Sequence, residues 1–371
     1  MNLKFSLLAL FLFSSCAQMR SFTSAQKVKR NSGILKLAWA KNLDPKYRLG
    51  NLPIGWNTPL IEGERLYVGA KGNEFHVYNL RSGQLINSVK GESVVMRPVI
   101  KDNKIFYGTE DGHFFVKKLS TLEILYSNKF DIPLEVEPYI DGDTAYLHLQ
   151  TNALISYNYK TKKVLWRYQR PQPNVTSLNR LAIPSVHDGK IFLGFADGYL
   201  ACLDKNTGSV LWEKKISESR KFVDVDAKVL YHNGRVWVSS LAGVTQILNA
   251  NDGSTMRRIK HKTMTQPLLY GEQVILSTDK GELLIFDQDG NLKTSLKVAK
   301  SGITSSALWG KKKIVFSTFK GKVGSLYLTD INSLDVFDFG YSKSSLLGHI
   351  EAKGDYLAVY SSRNRLYVFK Q

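Results

Sequence analysis

Along "IPSVHDGKIFLGFADGYLACLDKNTGSVLW", residues 183–212, short apolar runs alternate with polar turn residues. The runs predict four strands: 183–187, 190–195, 199–204 and one that begins at 210–212. Asp-Gly steps separate the first three, and "DKNTG" separates the last two. Asp-Gly between alternating apolar runs is a hairpin signal, because tight hairpin turns need backbone at positive φ. No long stretch spaces its apolar residues at i, i+3, i+4, i+7, so helices are not expected.

The same unit recurs along the chain. The tight turn after each second strand ends on Asn73, Gly112, Asn152, Gly198, Gly243, Gly281, Gly321 and Asn364. All are Gly or Asn, the residues that most readily take a positive φ. The intervals are 39, 40, 46, 45, 38, 40 and 43 residues. Proline stands before several first strands, at Pro59, Pro98, Pro138, Pro184 and Pro267, and tryptophan closes two fourth strands, Trp166 and Trp212. A four-stranded unit of about 40 residues, repeated many times, is the signature of a β-propeller blade. The expected fold is therefore all-β: an eight-bladed β-propeller over residues 33–371. The last copy stops after its third strand, while "GILKLAWAKNL" at 33–43 carries Trp39 where other blades carry their fourth-strand tryptophan. This N-terminal strand is expected to complete the last blade and close the ring, which removes exposed sheet edges.

Ahead of the repeats, "MNLKFSLLALFLFSSCAQ" has one lysine and then a nine-residue apolar core, Phe5 to Phe13, interrupted only by Ser6. That is too short to span a bilayer, which takes about 20 residues, and it fits a secretory signal. The small residues Ser14 and Ser15 and then Cys16 follow, a pattern that resembles the lipobox of bacterial lipoproteins. The resemblance implies a signal peptide over 1–15 and a diacylglycerol on Cys16. Residues 16–32 read as a polar tether. Ala17 after the cysteine points to the outer membrane. A lipidated Cys16 leaves Cys202 no thiol to pair with. Formal net charge is +19, which attracts anionic partners. Export makes nucleic acid an improbable one and favours anionic lipid or an acidic protein surface.

The repeat pattern "DG-x-L-x-x-x-D-x-x-TG-x-x-LW" resembles the quinoprotein (PQQ-like) repeat. A bare ring of eight such repeats behind a lipobox is similar to the BamB family, lipoproteins of the outer-membrane β-barrel assembly machinery. Two loops carry the likeness further: Asp224-Val225-Asp226 in "FVDVDAK", and Ser177-Leu178-Asn179-Arg180 in "SLNRLAIP". The resemblance implies that Leu178, Arg180, Asp224 and Asp226 contact a POTRA domain of the barrel insertase. It also implies a scaffold without catalytic residues, metal or cofactor, anchored on the periplasmic side of the outer membrane. Unfolded outer-membrane proteins are a further expected partner, received at a strand edge by β-augmentation.

Spacing leads to the same loops. In an up-and-down blade the second-to-third turn and the connection to the next blade share one face. The intervals 46 and 45 flank the fourth blade and put extra residues into 167–182 and 213–226, and insertions in repeats gather on a binding face. In extended backbone Asp224 and Asp226 would face the same way, about 6–7 Å apart. The bland alternative is that one of them caps backbone N–H groups at a strand start. A glycosidase pair is excluded by that same-side geometry, since its acids must face each other across a substrate. A quinone-dependent dehydrogenase shares the repeat but usually carries longer covering loops and an adjacent cysteine pair, whereas Cys202 stands alone in "YLACLD". A propeller lipoprotein that scaffolds another envelope or cell-wall complex is the remaining alternative. The seven histidines are scattered without zinc-ligand spacing.

Overall fold

Every one of the eight turn residues singled out by the repeat has positive φ, from 56° at Asn364 to 92° at Gly243. In the computed structural model these turns each join the second and third strands of a four-stranded antiparallel sheet, and there are eight such sheets. The structure describes residues 33–44, 57–70, 72–94, 96–172, 181–217, 219, 221–240, 242–263, 265–340 and 345–371. Blades 1 to 7 span 60–90, 99–129, 139–169, 185–215, 230–259, 268–297 and 303–338. Blade 8 takes three strands from 351–370 and its fourth from Lys36–Asn42. That strand pairs antiparallel with Arg365–Lys370, Lys36 opposite Lys370 and Asn42 opposite Arg365, so the N-terminal strand closes the ring as expected.

All five prolines flagged in the sequence directly precede a first strand. Proline has no N–H to give to a ladder, so it is tolerated at a strand start. The first strands of neighbouring blades touch one another and line the axis.

The apolar core is divided into eight clusters, one in each seam between successive blades. Alternate residues of one strand serve opposite seams. Leu66 and Val68 pack toward blade 8, while Tyr67 between them packs toward blade 2. Strands buried on both faces read as near-continuous apolar runs, which is why "RLYVGA" and "KIFLG" carry little polar alternation. Fourth-strand tryptophans also stitch three of the seams. The indoles of Trp39, Trp166 and Trp212 donate to the carbonyls of Leu80, Lys205 and Ala250 in the next blade, at 2.8, 3.1 and 3.1 Å. Each ring lies on a glycine, Gly83, Gly208 or Gly253, where an added Cβ would come within 2.7 Å of ring carbon.

Candidate functional site

The turn 195–198 of blade 4 is where the two longest connections around that blade converge. From the blade 3 side, Arg170 gives its N–H to the Asn152 carbonyl at 3.1 Å. The Asn152 side chain then holds both neighbours, donating to the Pro171 carbonyl at 2.8 Å and accepting from the Ala196 N–H at 3.1 Å. From the blade 5 side, Val225 donates its N–H to the Phe195 carbonyl at 3.2 Å, and Ile216 donates to Gly198 at 2.9 Å. Gly194 allows this approach, because a Cβ there would sit 2.2 Å from the Val225 carbonyl oxygen. The ends 170–171 and 216–225 of the two connections, where described, thus meet one turn from opposite sides.

Beneath them lies a charged knot. Arg170 Nε donates to Asp197 Oδ2 at 2.7 Å, and its Nη1 lies 2.8 Å from Glu213 Oε2 and 3.1 Å from the Tyr168 hydroxyl. The guanidinium lies 4.1 Å from the centre of the Tyr199 ring. Tyr168 also donates to Glu213. Burial by itself would discourage the Arg170 charge, but bonds to Tyr168, Glu213 and Asp197 outweigh it and raise its pKa. Burial likewise pushes against the Glu213 carboxylate, and the bonds from Tyr168 and Arg170 bring its pKa below the ordinary value. Such a network fixes the turn 195–198, although Asp197 Oδ1 is left buried without a hydrogen-bond partner among the described residues. Deeper in the seam, His148 Nδ1 donates to the Ala182 carbonyl at 2.9 Å, and complete burial lowers its pKa to about 4.

The two aspartates do not sit side by side at the surface. Asp224 is wholly buried and Asp226 half-buried. Residues 222–226 are not a strand, and the strand that follows is Leu230–His232. The side-by-side expectation assumed extended backbone, but Phe222 has φ of 52° and the stretch 223–225 is buried without alternation. The turn geometry instead folds Asp224 under the segment and leaves Asp226 at its edge. Leu178, Arg180 and Cys16 lie outside the described residues. One surface residue was missed in the sequence reading. Phe222 is 42% exposed and holds a left-handed conformation that bulky residues rarely adopt. Its signal was available, as an aromatic flanked by Lys221 and the DVD motif, but nothing in a sequence reports exposure. The interval count also passed over the connection 43–59, because it precedes the first tracked turn.

At the ring axis, Arg97 bridges three blades. It contacts Glu351 at 3.1 and 3.3 Å and Glu137 at 3.4 Å, while Glu351 Oε1 also accepts the Ile61 N–H at 3.2 Å. Burial raises the Glu137 pKa, with Arg97 and Lys228 opposing. Cys202 is buried in the core, and burial pushes its thiol up to about 12, which makes it unreactive. Among the described residues no group of three or more His, Cys, Asp or Glu side chains gathers as a metal site requires.

Comparison with known proteins adds a family to this geometry. A family model described as outer membrane protein assembly factor BamB matches residues 88–293, more than half of the chain. The outer membrane protein assembly factor BamB of Yersinia pestis is 22% identical over 276 residues, which is 70% of this chain and 68% of that protein. Among solved structures, BamB from Moraxella catarrhalis superposes with a TM-score of 0.72 at 17% identity, covering 91% of this chain and all of that one. A computationally designed protein, Ika8, superposes with a TM-score of 0.70 at 16% identity over 87% of this chain and 98% of its own. A designed ring matching nearly as well shows that these superpositions speak to the fold alone.

Proposed function

The chain belongs to the BamB family, and from that premise we propose that it is a non-catalytic scaffold lipoprotein of the outer-membrane β-barrel assembly complex. In this reading Cys16 carries the lipid, the tether 16–32 holds the ring at the periplasmic face of the outer membrane, and residues 33–371 form the scaffold. The patch over blade 4 docks a POTRA domain of the barrel insertase and so aids assembly and insertion of outer-membrane proteins. Unfolded substrates would be received at the free edges of the outer strands.

The observation that carries the reading is that residues 170–171 on one side, and Ile216 and Val225 on the other, are bonded around the turn 195–198. It makes one patch from two loops that are far apart in sequence. Leu178 and Arg180 supply an apolar anchor and a guanidinium. Phe222 and Asp226 supply an exposed aromatic and a carboxylate at the rim, a composition typical of docking hot spots. Asp224 acts from below by shaping the segment that presents them. The charged groups on the axis support a non-enzymatic role. Arg97, Glu137 and Glu351 are tied to one another rather than left as free acids and bases.

A detergent pull-down of the tagged full-length protein from its native envelope tests this. A barrel protein with POTRA domains is the expected main partner. Asp226→Lys combined with Leu178→Asp should lower its recovery about tenfold or more, with the unfolding profile unchanged. Undiminished recovery would remove the patch from the interface.

A further inference from the structure

A cavity of about 490 Å³ opens in the seam between blades 6 and 7, walled by Val298, Ala299, Phe316 and Val336. Four lysines rim it, Lys297, Lys300, Lys320 and Lys322, against a single acid, Asp338. Lys322 is 2.9 Å from Asp338, and Lys297 donates to the Lys280 carbonyl and lies 4.0 Å from Glu282. Lys300 and Lys320 are exposed and form no ion pair among the described residues.

The cavity has a cause in the repeat. Val298 donates its N–H to Gly281 just as Arg170 donates to Asn152. Phe316, Gly324 and Val336 are register partners across blade 7, as Leu193, Ala201 and Glu213 are across blade 4. By the same register Lys320 stands where Asp197 does, and Lys322 where Tyr199 does. The bulky groups that fill the blade 3–4 seam, a guanidinium stacked on a tyrosine ring, are replaced by a valine and a flexible lysine. Space is left, and the places of Asp197 and Tyr199 are taken by lysines, with Asp338 the single acid beside them.

We propose that this cavity binds the headgroup of an anionic phospholipid, with the phosphate among the lysines and the glyceryl and first acyl carbons against Val298, Phe316 and Val336. Its position selects a membrane lipid over other anions. The blade 7 strand Asp330–Asp338, which lines the cavity with Val336 and Asp338, also receives the incoming chain. Asp335 Oδ2 accepts the Leu35 N–H at 2.7 Å. The cavity wall is therefore about 10 Å along one strand from the point where the chain running from Cys16 joins the ring. Occupied lipid would hold the rim of blades 6–8 against the membrane. This rests on the membrane location proposed above, but the test does not need the assembly partner.

The full chain carrying Cys16→Ala, so that no acyl anchor contributes, is mixed with phosphatidylcholine vesicles with and without about 30% phosphatidylglycerol and sedimented. Binding only to the anionic vesicles is expected. Lys300→Glu with Lys320→Glu should weaken it about tenfold or more. Lys118→Glu with Lys163→Glu makes the same charge change at exposed sites of blades 2 and 3 and should weaken it less than about threefold. Circular dichroism confirms that both variants fold. Equal losses in the two variants would assign binding to diffuse net charge and overturn the site, as would full binding by the cavity variant. Glycerol phosphate held as tightly as vesicles would overturn the lipid assignment in favour of a soluble phosphate ester. Loss of the barrel partner from the envelope pull-down, with vesicle binding intact, would assign the lysines to a protein interface instead.

Discussion

Arg170 and Val298 hold the same place in two seams of the ring, each bonded through its N–H to the turn of its own blade. Around Arg170 the next blade supplies Asp197, Glu213 and Tyr199, and the seam is closed. Around Val298 it supplies Lys320, Lys322 and Val336, and the seam is open. A third seam shows that the first arrangement is no accident of blade 4. Glu92, at the same connector position between blades 1 and 2, meets Lys117 Nζ and the Tyr107 hydroxyl, both at 2.5 Å. In four further seams the connector residue is apolar: Leu43, Phe130, Ile216 and Phe339. The backbone of the repeat tolerates either chemistry at this position. A buried charge is kept where the next blade brings an opposite one, as desolvation requires.

The comparison is broken most directly by Arg170→Met. The change strands the largely buried Asp197 and takes the cation from the more exposed Glu213, and should cost about 2 kcal/mol, read as a lowered urea midpoint. Grafting the open seam's residues together, Arg170→Val, Asp197→Lys and Glu213→Val, should cost less than the single change, because no carboxylate is left unmatched.

Acid attacks the closed seam through His148. Its folded pKa of about 4 lies below the ordinary value of 6.5. The unfolded chain therefore binds the extra proton first, and stability falls as pH drops from about 6.5 toward 4. The loss amounts to about 3 kcal/mol. Urea titrations across that window should show the slope in the parent, and His148→Phe should flatten it. A parent whose stability is level between pH 6.5 and 4 would contradict the buried neutral imidazole.

The reverse graft, Val298→Arg, Lys320→Asp and Val336→Glu, builds the closed arrangement into the open seam. Stability should change by only about 1 kcal/mol in either direction, since a well-paired buried network roughly offsets its own desolvation. Vesicle binding should disappear as the cavity fills. The smallest stability effect is expected for Asp226→Asn, within about 0.5 kcal/mol, because it keeps the shape of a half-buried side chain whose Oδ2 is covered. If that variant unfolds early, Asp226 belongs with Asp224 as a support of the loop.

Much of the fold was legible because a propeller repeats its constraints. Each turn needs positive φ, so Gly or Asn recurs at the eight turn positions. Each first strand starts after a residue that can lack an N–H, so proline recurs too. The N-terminal strand was legible from Trp39, whose indole finds in blade 1 the carbonyl partner that Trp166 finds in blade 4. The candidate site was legible only as two long intervals and a short motif. Periodicity placed Asp224 and Asp226 on one side of a strand, and the left-handed Phe222 defeated it. A departure from regular backbone changes which side chains face water without changing the pattern of residue types.

The chain's sequence by itself therefore determined the number of blades, the place of every tight turn and the closure of the ring, because these follow from local backbone demands repeated at a fixed interval. Tertiary structure alone decided that Asp224 is buried and Asp226 half-buried while Phe222 is exposed. It alone decided that Arg170 finds its acids in the next blade while Lys300 and Lys320 find none among the described residues. Burial and charge pairing across a seam are set by residues some 25 to 45 positions apart, Arg170 to Asp197 and to Glu213, and only the closed ring brings them within reach.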